Sequence, residues 1–381
     1  MKPRFLTILY YQDIGPQHLY KDAGSIPLGL SKYFGWESTF AYVNFNGEIK
    51  DREYEKWVRL IPLKKCGSAF FTALIFLLLH GHKYDVLNFY HMARVHLLMI
   101  LAARLGNPKA KIYIKCDMGR PGFEGATKKG KVYHKIVQVL GCIGLLPDLC
   151  TVETKRYVTL LNQLPLYSGR IQYLPNGFWR DERIPTDLER RKENIILTVG
   201  RLGTPEKNTE QLLESFAEIP VVERKNWKLL LVGSYTQKIL EKAKKMIAAD
   251  LSLKENIVFT GNIDDKKQLN QYYSKAAIFC LPSRSESFGI VLIEAIHHGC
   301  FPIVTDCCDA FYDMLDNGKY GDIVPNENRE ALTAALRKAM ENKAYVVNRG
   351  IQGKLYADQY FDWEQIIKKL QNHLADIISK R

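Results

Sequence analysis

Two spacings of apolar residues alternate along this chain. Short apolar runs bounded by Gly, Pro, Asn or Asp read as buried strands, and longer stretches with apolar residues every three or four positions read as helices. In the first half the strand pattern falls on residues 5–11, 38–43, 85–89, 111–115, 149–152 and 172–174, and the helix pattern on 24–34, 69–79, 96–105 and 131–141. The alternation restarts with strands at 194–199, 228–232, 257–260, 276–281 and 301–304 and helices at 208–217, 237–249, 266–275 and 289–298. An amphipathic stretch at 361–370 reads as a final helix. Strands alternating with helices predict parallel βαβ units, so the expected fold is α/β with two Rossmann-like doubly wound parallel-sheet domains facing a cleft. We expect an N-terminal domain over 1–177, a second over 178–355, and a C-terminal helix over 356–381 packing back on the first. The join falls near 175–185. The repeat is architectural, since the two halves share no sequence repeat.

A length of 381 residues suits two ordinary domains, and 46% hydrophobic residues suffice for two cores. The longest apolar run, residues 69–79, is well short of the roughly twenty residues that span a bilayer. The opening Met-Lys-Pro-Arg-Phe-Leu is too short and too soon polar for a secretory signal. A soluble or peripheral cytoplasmic protein is therefore expected. The eight cysteines, at 66, 116, 142, 150, 280, 300, 307 and 308, form no Cys-x-x-Cys and no zinc spacing, which predicts free thiols in a reducing compartment.

Charge changes the picture more than composition does. The formal net charge is +13, and residues 1–177 carry 24 Lys and Arg against 12 Asp and Glu, while 178–381 carry 30 against 29. A basic first half beside a neutral second half points to an anionic partner for the first. Cations interleave with apolar residues over 50–83 (Trp57, Lys64, Lys65, Phe70, Phe71, Ile75), and cations recur at Lys128, Lys129, Lys131 and Lys135. That mix predicts docking on an anionic membrane surface, on the inner face of the cell membrane. No helix-turn-helix, zinc or RNA-module motif occurs, so nucleic acid is not expected as a partner.

Two stretches carry candidate chemistry. In Ser285-Glu-Ser-Phe-Gly-Ile-Val-Leu-Ile-Glu294 a buried strand has just ended, and a helix begins at Gly289. Unpaired amides near Phe288 to Val291 and the positive end of the helix dipole make an anion site. Glu286 and Glu294 flank it, and a carboxylate there accepts hydrogen bonds from sugar hydroxyls. In Val199-Gly-Arg-Leu-Gly-Thr-Pro-Glu-Lys-Asn208 a strand ends at Gly200, Arg201 follows at its carboxyl end, and Lys207 stands six residues later. A guanidinium and an ammonium on one loop suit a diphosphate.

Taken together, Val-Gly-Arg-Leu-x4-Lys-Asn, Leu-Val-Gly, Ser-x-Ser-Glu-Ser-Phe-Gly-x4-Glu-Ala and Gly-x-x-Pro-Ile-Val resemble the donor half of retaining glycosyltransferases of family 4 (group 1), which have the GT-B fold. The resemblance covers 174 to about 324, and Pro175-Asn-Gly177 looks like that family's interdomain segment. It implies that Arg201 and Lys207 hold the donor diphosphate and that Glu294 takes the ribose hydroxyls. It also implies that Glu286 holds the transferred sugar, and that Phe288, Gly289 and Ile290 present backbone amides. Gly200, Gly233 and the turn Thr260-Gly-Asn262 would frame the nucleotide. The chemistry implied is transfer from a UDP- or GDP-sugar to a hydroxyl acceptor, such as a lipid-linked glycan in bacterial surface polysaccharide, O-antigen or capsule assembly. Asp-x-Asp is absent from the sequence, so no metal and no cofactor are expected.

The first half departs from the family. Its loop candidate is Lys21-Asp-Ala-Gly-Ser-Ile-Pro-Leu-Gly29, where Gly24 and Ser25 would approach donor phosphate. Asp117 stands where a His is common, and with His91 it is the candidate for orienting or deprotonating the acceptor. The alternatives are a GT-B-like epimerase or sugar-phosphate synthase, and a basic nucleic-acid-binding protein.

Overall fold

The computed structural model describes residues 2–11, 14–45, 47–91, 96–116, 146–164, 169–180 and 191–379. The chain divides into two compact units, 1–177 with 363–381, and 178–362. Asp117, Cys142, the four lysines from 128 to 135 and the helix expected at 131–141 lie outside the described residues.

The first unit is built on a sheet of seven parallel strands. In chain order it holds β1 (Arg4–Leu9), α1 (Asp22–Phe34), β2 (Glu37–Asn44), α2 (Arg52–Glu55), β3 (Val58–Lys64), α3 (Ala69–His80), β4 (Val86–Tyr90), α4 (His96–Gly106), β5 (Lys111–Cys116), β6 (Leu149–Val152), α5 (Lys155–Asn162) and β7 (Ile171–Tyr173). The spatial order β3-β2-β1-β4-β5-β6-β7 reverses direction between β1 and β4. One face of the sheet packs an apolar core with α3 and α4, including Leu6, Ile8, Leu87, Phe89, Ile112 and Ile114. Strand β3 escaped the sequence reading because it lies at the sheet edge and carries Pro62, a residue that only an edge strand tolerates.

The second unit holds a six-stranded sheet, again all parallel. Its elements are β8 (Glu193–Val199), α6 (Thr209–Glu218), α7 (Val221–Arg224), β9 (Lys228–Val232), α8 (Gln237–Ala249), β10 (Ile257–Gly261), α9 (Lys266–Lys275), β11 (Ala276–Leu281), α10 (Ile290–His297), β12 (Phe301–Thr305), α11 (Asp309–Met314), β13 (Asp322–Val324), α12 (Arg329–Glu341) and α13 (Lys343–Tyr360). The last helix, α14 (Trp363–Ser379), belongs to the first unit, where its Ile367 fills the space left by Gly29 of α1. The order β10-β9-β8-β11-β12-β13 reverses between β8 and β11, and ligands of open α/β sheets bind in the crevice beyond such a reversal. Strand β11 is buried along its whole length, as a central strand covered on both faces must be. The loops 200–208 and 282–289 leave the sheet on either side of this reversal.

Two local contacts hold the ends of this sheet, Gly233 at the carboxyl ends of the strands and Lys192 at the opposite ends. A Cβ on Gly233 would lie 2.0 Å from the Gly200 carbonyl oxygen, and Gly233 has φ +128°, so the ends of β8 and β9 approach only because this residue is glycine. Behind α10, the buried Lys192 ammonium donates to the carbonyls of Tyr273 (3.1 Å), Ala276 (2.8 Å) and His298 (2.7 Å). A cation at that end of α10 complements the helix dipole and ties the helix to β11 and α9.

Candidate active site

The site in the second unit grows from the loop after β8. Pro205 opens a single helical turn, Pro205–Lys207, and Asn208 turns the chain with φ 49° before α6 starts. This brings the Lys207 side chain back under the strand end, where it is only 16% exposed and its Nζ lies 2.5 Å from Glu286 Oε1. Glu286 comes from the loop after β11 and is 11% exposed. The same oxygen accepts from Ser283 Oγ at 2.8 Å, and Thr305 Oγ1 donates to the Ser283 carbonyl at 2.5 Å. A charge-assisted contact between two nearly buried groups, backed by two hydroxyls, gives this carboxylate a defined position.

Gly289 takes φ +88° and starts α10, whose first amides have no intrahelical acceptor. Leu292 N–H bonds within the chain, to Gly289 O at 2.9 Å. A Cβ on Gly289 would lie 2.7 Å from the Phe311 ring, so the turn is fixed by packing as well as by φ. Phe288 is buried in the core beneath, which leaves backbone rather than side chain facing outward. Glu294 lies just over one turn on. Its Oε1 pairs with Lys266 Nζ, and Tyr273 donates from its hydroxyl to Oε2 at 3.2 Å. Burial, and then the Glu294 charge, push the Tyr273 phenol well above its ordinary range, so it stays a donor. His298 Nδ1 lies 2.8 Å from the Glu294 carbonyl, and burial lowers this imidazole to about 3, so it is neutral at physiological pH.

Arg201 differs from Lys207. Its side chain is 70% exposed and reaches Glu206 Oε1 at 2.8 Å on its own loop. Arg201, Lys207 and Lys266 thus each face a carboxylate, and an incoming anion must compete for them.

The structure brings together Gly200, Arg201, Lys207, Gly233, Glu286, Phe288, Gly289, Ile290 and Glu294 within one unit. Gly24 and Ser25 lie in the other unit and are corrected as loop residues. They sit in the first turn of α1, both buried, and both amides donate to Lys21 O (3.1 and 2.7 Å), so neither is free for a phosphate. Gly24 is needed by its own chain, since a Cβ there would meet the Leu19 carbonyl at 2.2 Å. His91 follows β4 with φ 64°, an uncommon conformation for a non-glycine residue, and its amide donates to Lys115 O at 2.9 Å. The sequence reading missed Lys266 and Tyr273. Their spacing of seven along α9 places both on one helical face, and that was the available signal.

Residues 180–356 match the family described as glycosyl transferases group 1. The chain is 28% identical over 261 residues to the amylovoran biosynthesis glycosyltransferase AmsD of Erwinia amylovora, covering 66% of this chain and 67% of that protein. It is 27% identical over 225 residues to the lipopolysaccharide glucosyltransferase WaaG of Escherichia coli, covering 55% and 56% of the two chains. In fold it is similar to the Anabaena protein HepE, solved in complex with UDP-glucose, with a TM-score of 0.65 at 14% identity over 98% of this chain and 99% of that one. These likenesses establish the GT-B fold for both units.

Proposed function

Through residues 180–356 the chain belongs to the group 1 glycosyl transferases, and we propose that it is a retaining, metal-independent enzyme moving a sugar from a UDP- or GDP-sugar to a lipid-linked glycan. The observation that carries this reading is the Lys207–Glu286 contact beside the amino end of α10, with Arg201 on the same loop as Lys207. On this reading Lys207 and Arg201 re-pair with the donor diphosphate, and the first amides of α10 complete its anion site. Glu286, released from Lys207, accepts from hydroxyls of the transferred sugar. Glu294, steadied by the Tyr273 hydroxyl, accepts from the ribose.

The reaction would break the anomeric C–O bond to the diphosphate, which leaves with both electrons. The acceptor oxygen bonds to the same face of the sugar, and its proton passes to the departing diphosphate oxygen. Lys207 and Arg201 neutralise the charge that develops there, a role that a metal plays in Asp-x-Asp enzymes. On the acceptor side, His91 and Asp117 are the residues we assign to holding the acceptor hydroxyl.

A glycan acceptor is supported by the names of AmsD, an amylovoran biosynthesis glycosyltransferase, and WaaG, a lipopolysaccharide glucosyltransferase. A membrane setting is supported by the outer faces of α3 and α4, which pack on each other. Solvent-facing positions of these helices hold Phe71, Leu78 and Leu79 (61% exposed), and Leu98, Leu101 and Leu105 (68% exposed). Lys64, Lys65 and Lys83 are exposed close by in the chain. Among the described residues no helix is long and apolar enough to cross a membrane, so we propose peripheral docking on the cytoplasmic leaflet.

The test is transfer of labelled sugar from UDP- and GDP-sugars to lipid extracts in the presence of EDTA, with the anomeric configuration of the product read by NMR. Retained configuration and EDTA-resistant turnover are expected. An inverted product, or activity abolished by EDTA and restored by a divalent cation, would overturn the mechanism.

A further inference from the structure

We infer that Arg284 is a positioning residue that sets the register between the two loops of the donor site; this rests on the donor-site reading above. Arg284 stands two residues before Glu286, on the loop that leaves β11. Its backbone amide donates to Glu206 O at 2.8 Å, and its Nη1 donates to Pro205 O at 2.7 Å. Both acceptors belong to the turn that ends in Lys207. Its Nε donates to Glu327 Oε1 at 2.8 Å, and its carbonyl accepts from Asn326 Nδ2 at 3.1 Å. The Asn326 amide in turn donates to Asp306 Oδ1 at 2.8 Å. One residue therefore ties together the segments that follow β8, β11 and β13, and through Asn326 the one that follows β12.

The consequence is geometric. Lys207 adjoins Glu206, and Glu286 lies just past Arg284, so the Arg284 bonds to Pro205 and Glu206 set how far apart the ammonium and the carboxylate stand. Glu327, the anchor on the far side, has φ 56°, a strained conformation that persists only where its surroundings over-determine it. Arg284 is partly exposed, at 41% of its side chain, and Glu327 is 64% exposed, so their ion pair contributes little to global stability. A misplacement of about 1 Å at a reacting group costs on the order of a hundredfold in rate, which gives such surface bonds a functional reason.

Calorimetric titration of UDP and of GDP into wild type, Arg284→Ala, Arg284→Lys, Lys207→Ala and the double variant Arg284→Ala/Lys207→Ala tests the role. For the nucleotide that wild type binds, Arg284→Ala should weaken affinity about tenfold with an unchanged melting temperature. Arg284→Lys, which keeps one donor for Pro205 O, should recover part of the loss. The decisive reading is the double variant: if Arg284 acts by placing Lys207, its removal has no further effect once Lys207 is gone. Fully additive losses, or Arg284→Ala binding like wild type, would overturn the positioning role while leaving the donor site standing. A wild type that binds neither nucleotide would refute the donor site and this role with it.

Discussion

The two units share an architecture and differ in the charged side chains carried by their strands. In the second, the sheet packs apolar cores, and the charged pairs Lys207–Glu286 and Lys266–Glu294 sit on loops and helix ends beyond the strands. In the first, one face of the sheet is apolar, and the other buries Thr7, Asn88, Tyr113, Lys115, Thr151 and Glu153. Tyr113 and Thr151 share a hydrogen bond of 2.8 Å, and Lys115 Nζ reaches Glu153 Oε1 at 3.0 Å and Leu174 O at 3.1 Å. Leu174 directly precedes the Pro175-Asn-Gly177 segment, so this buried ammonium anchors the chain where it leaves the first unit. The contrast teaches that one fold can hold ion pairs either on loops and helices beyond its strands, in reach of solvent, or in its interior, away from it.

The largest effect expected from that contrast is in the interior pair. Glu153→Ala leaves the Lys115 ammonium buried without its carboxylate and should cost about 3–5 kcal/mol in urea unfolding. Replacing both residues by Met should recover most of it. A neutral Glu153→Ala would show the two units to be alike after all. Beyond the strands, Lys207→Ala should lower transfer about 10²–10³-fold, with a much smaller loss of stability. Equal losses in both readouts would mean that Lys207 is an interior ion like Lys115.

A third effect separates the outer surfaces. Leu105→Glu on α4 should reduce retention on anionic vesicles by the roughly 1.5–3 kcal/mol that a buried leucine side chain contributes, while unfolding shifts by no more than about 0.5 kcal/mol. Unchanged retention would remove the apolar face from the docking surface. The smallest effect, taken per unit of pH, is on acid stability. His298 is lowered from 6.5 to about 3, so below pH 6.5 the unfolded chain binds a proton that the folded chain does not. Stability contributed by the neutral imidazole is complete above 6.5 and falls, by about 1.4 kcal/mol per pH unit, as pH drops toward 3. His298→Phe, which keeps a ring against Tyr273, should flatten the acid limb. An unaltered slope would place the titration elsewhere.

The same contrast decides how much the sequence revealed. The placing of the second unit's candidate residues was legible because they follow buried strands at fixed spacings: Arg201 and Lys207 after β8, Glu286 and Glu294 around the start of α10. The interior polar residues of the first unit come one or two per strand, and such scattering has no local signature. Lys115 and Glu153 were not singled out for that reason. The helix over 24–34 was legible, whereas Gly24 and Ser25 were placed in a phosphate-facing loop because Gly24 suggested a turn, and both lie in the first turn of that helix with Gly24 pressed on Leu19. Helix α13 escaped because Gly350 and Gly353 interrupt its apolar pattern. A Cβ on Gly350 would meet the Gly299 carbonyl at 2.4 Å, so the glycine serves close packing rather than a break. Lys266 and Arg284 went unnoticed because each acts across a distance in sequence, on Glu294 and on Pro205.

The most direct test of the central claim, that the second unit binds a nucleoside diphosphate through Lys207 and Glu294, is a thermal-shift series with UDP, GDP, ADP and CMP in EDTA. A ligand that binds only the folded state stabilises by mass action, about 2.7 kcal/mol at a hundred times its Kd. The account predicts that UDP or GDP raises the melting temperature of wild type and fails to do so in Lys207→Ala and Glu294→Ala. A shift that survives in both variants, or no shift with any of the four, would contradict it.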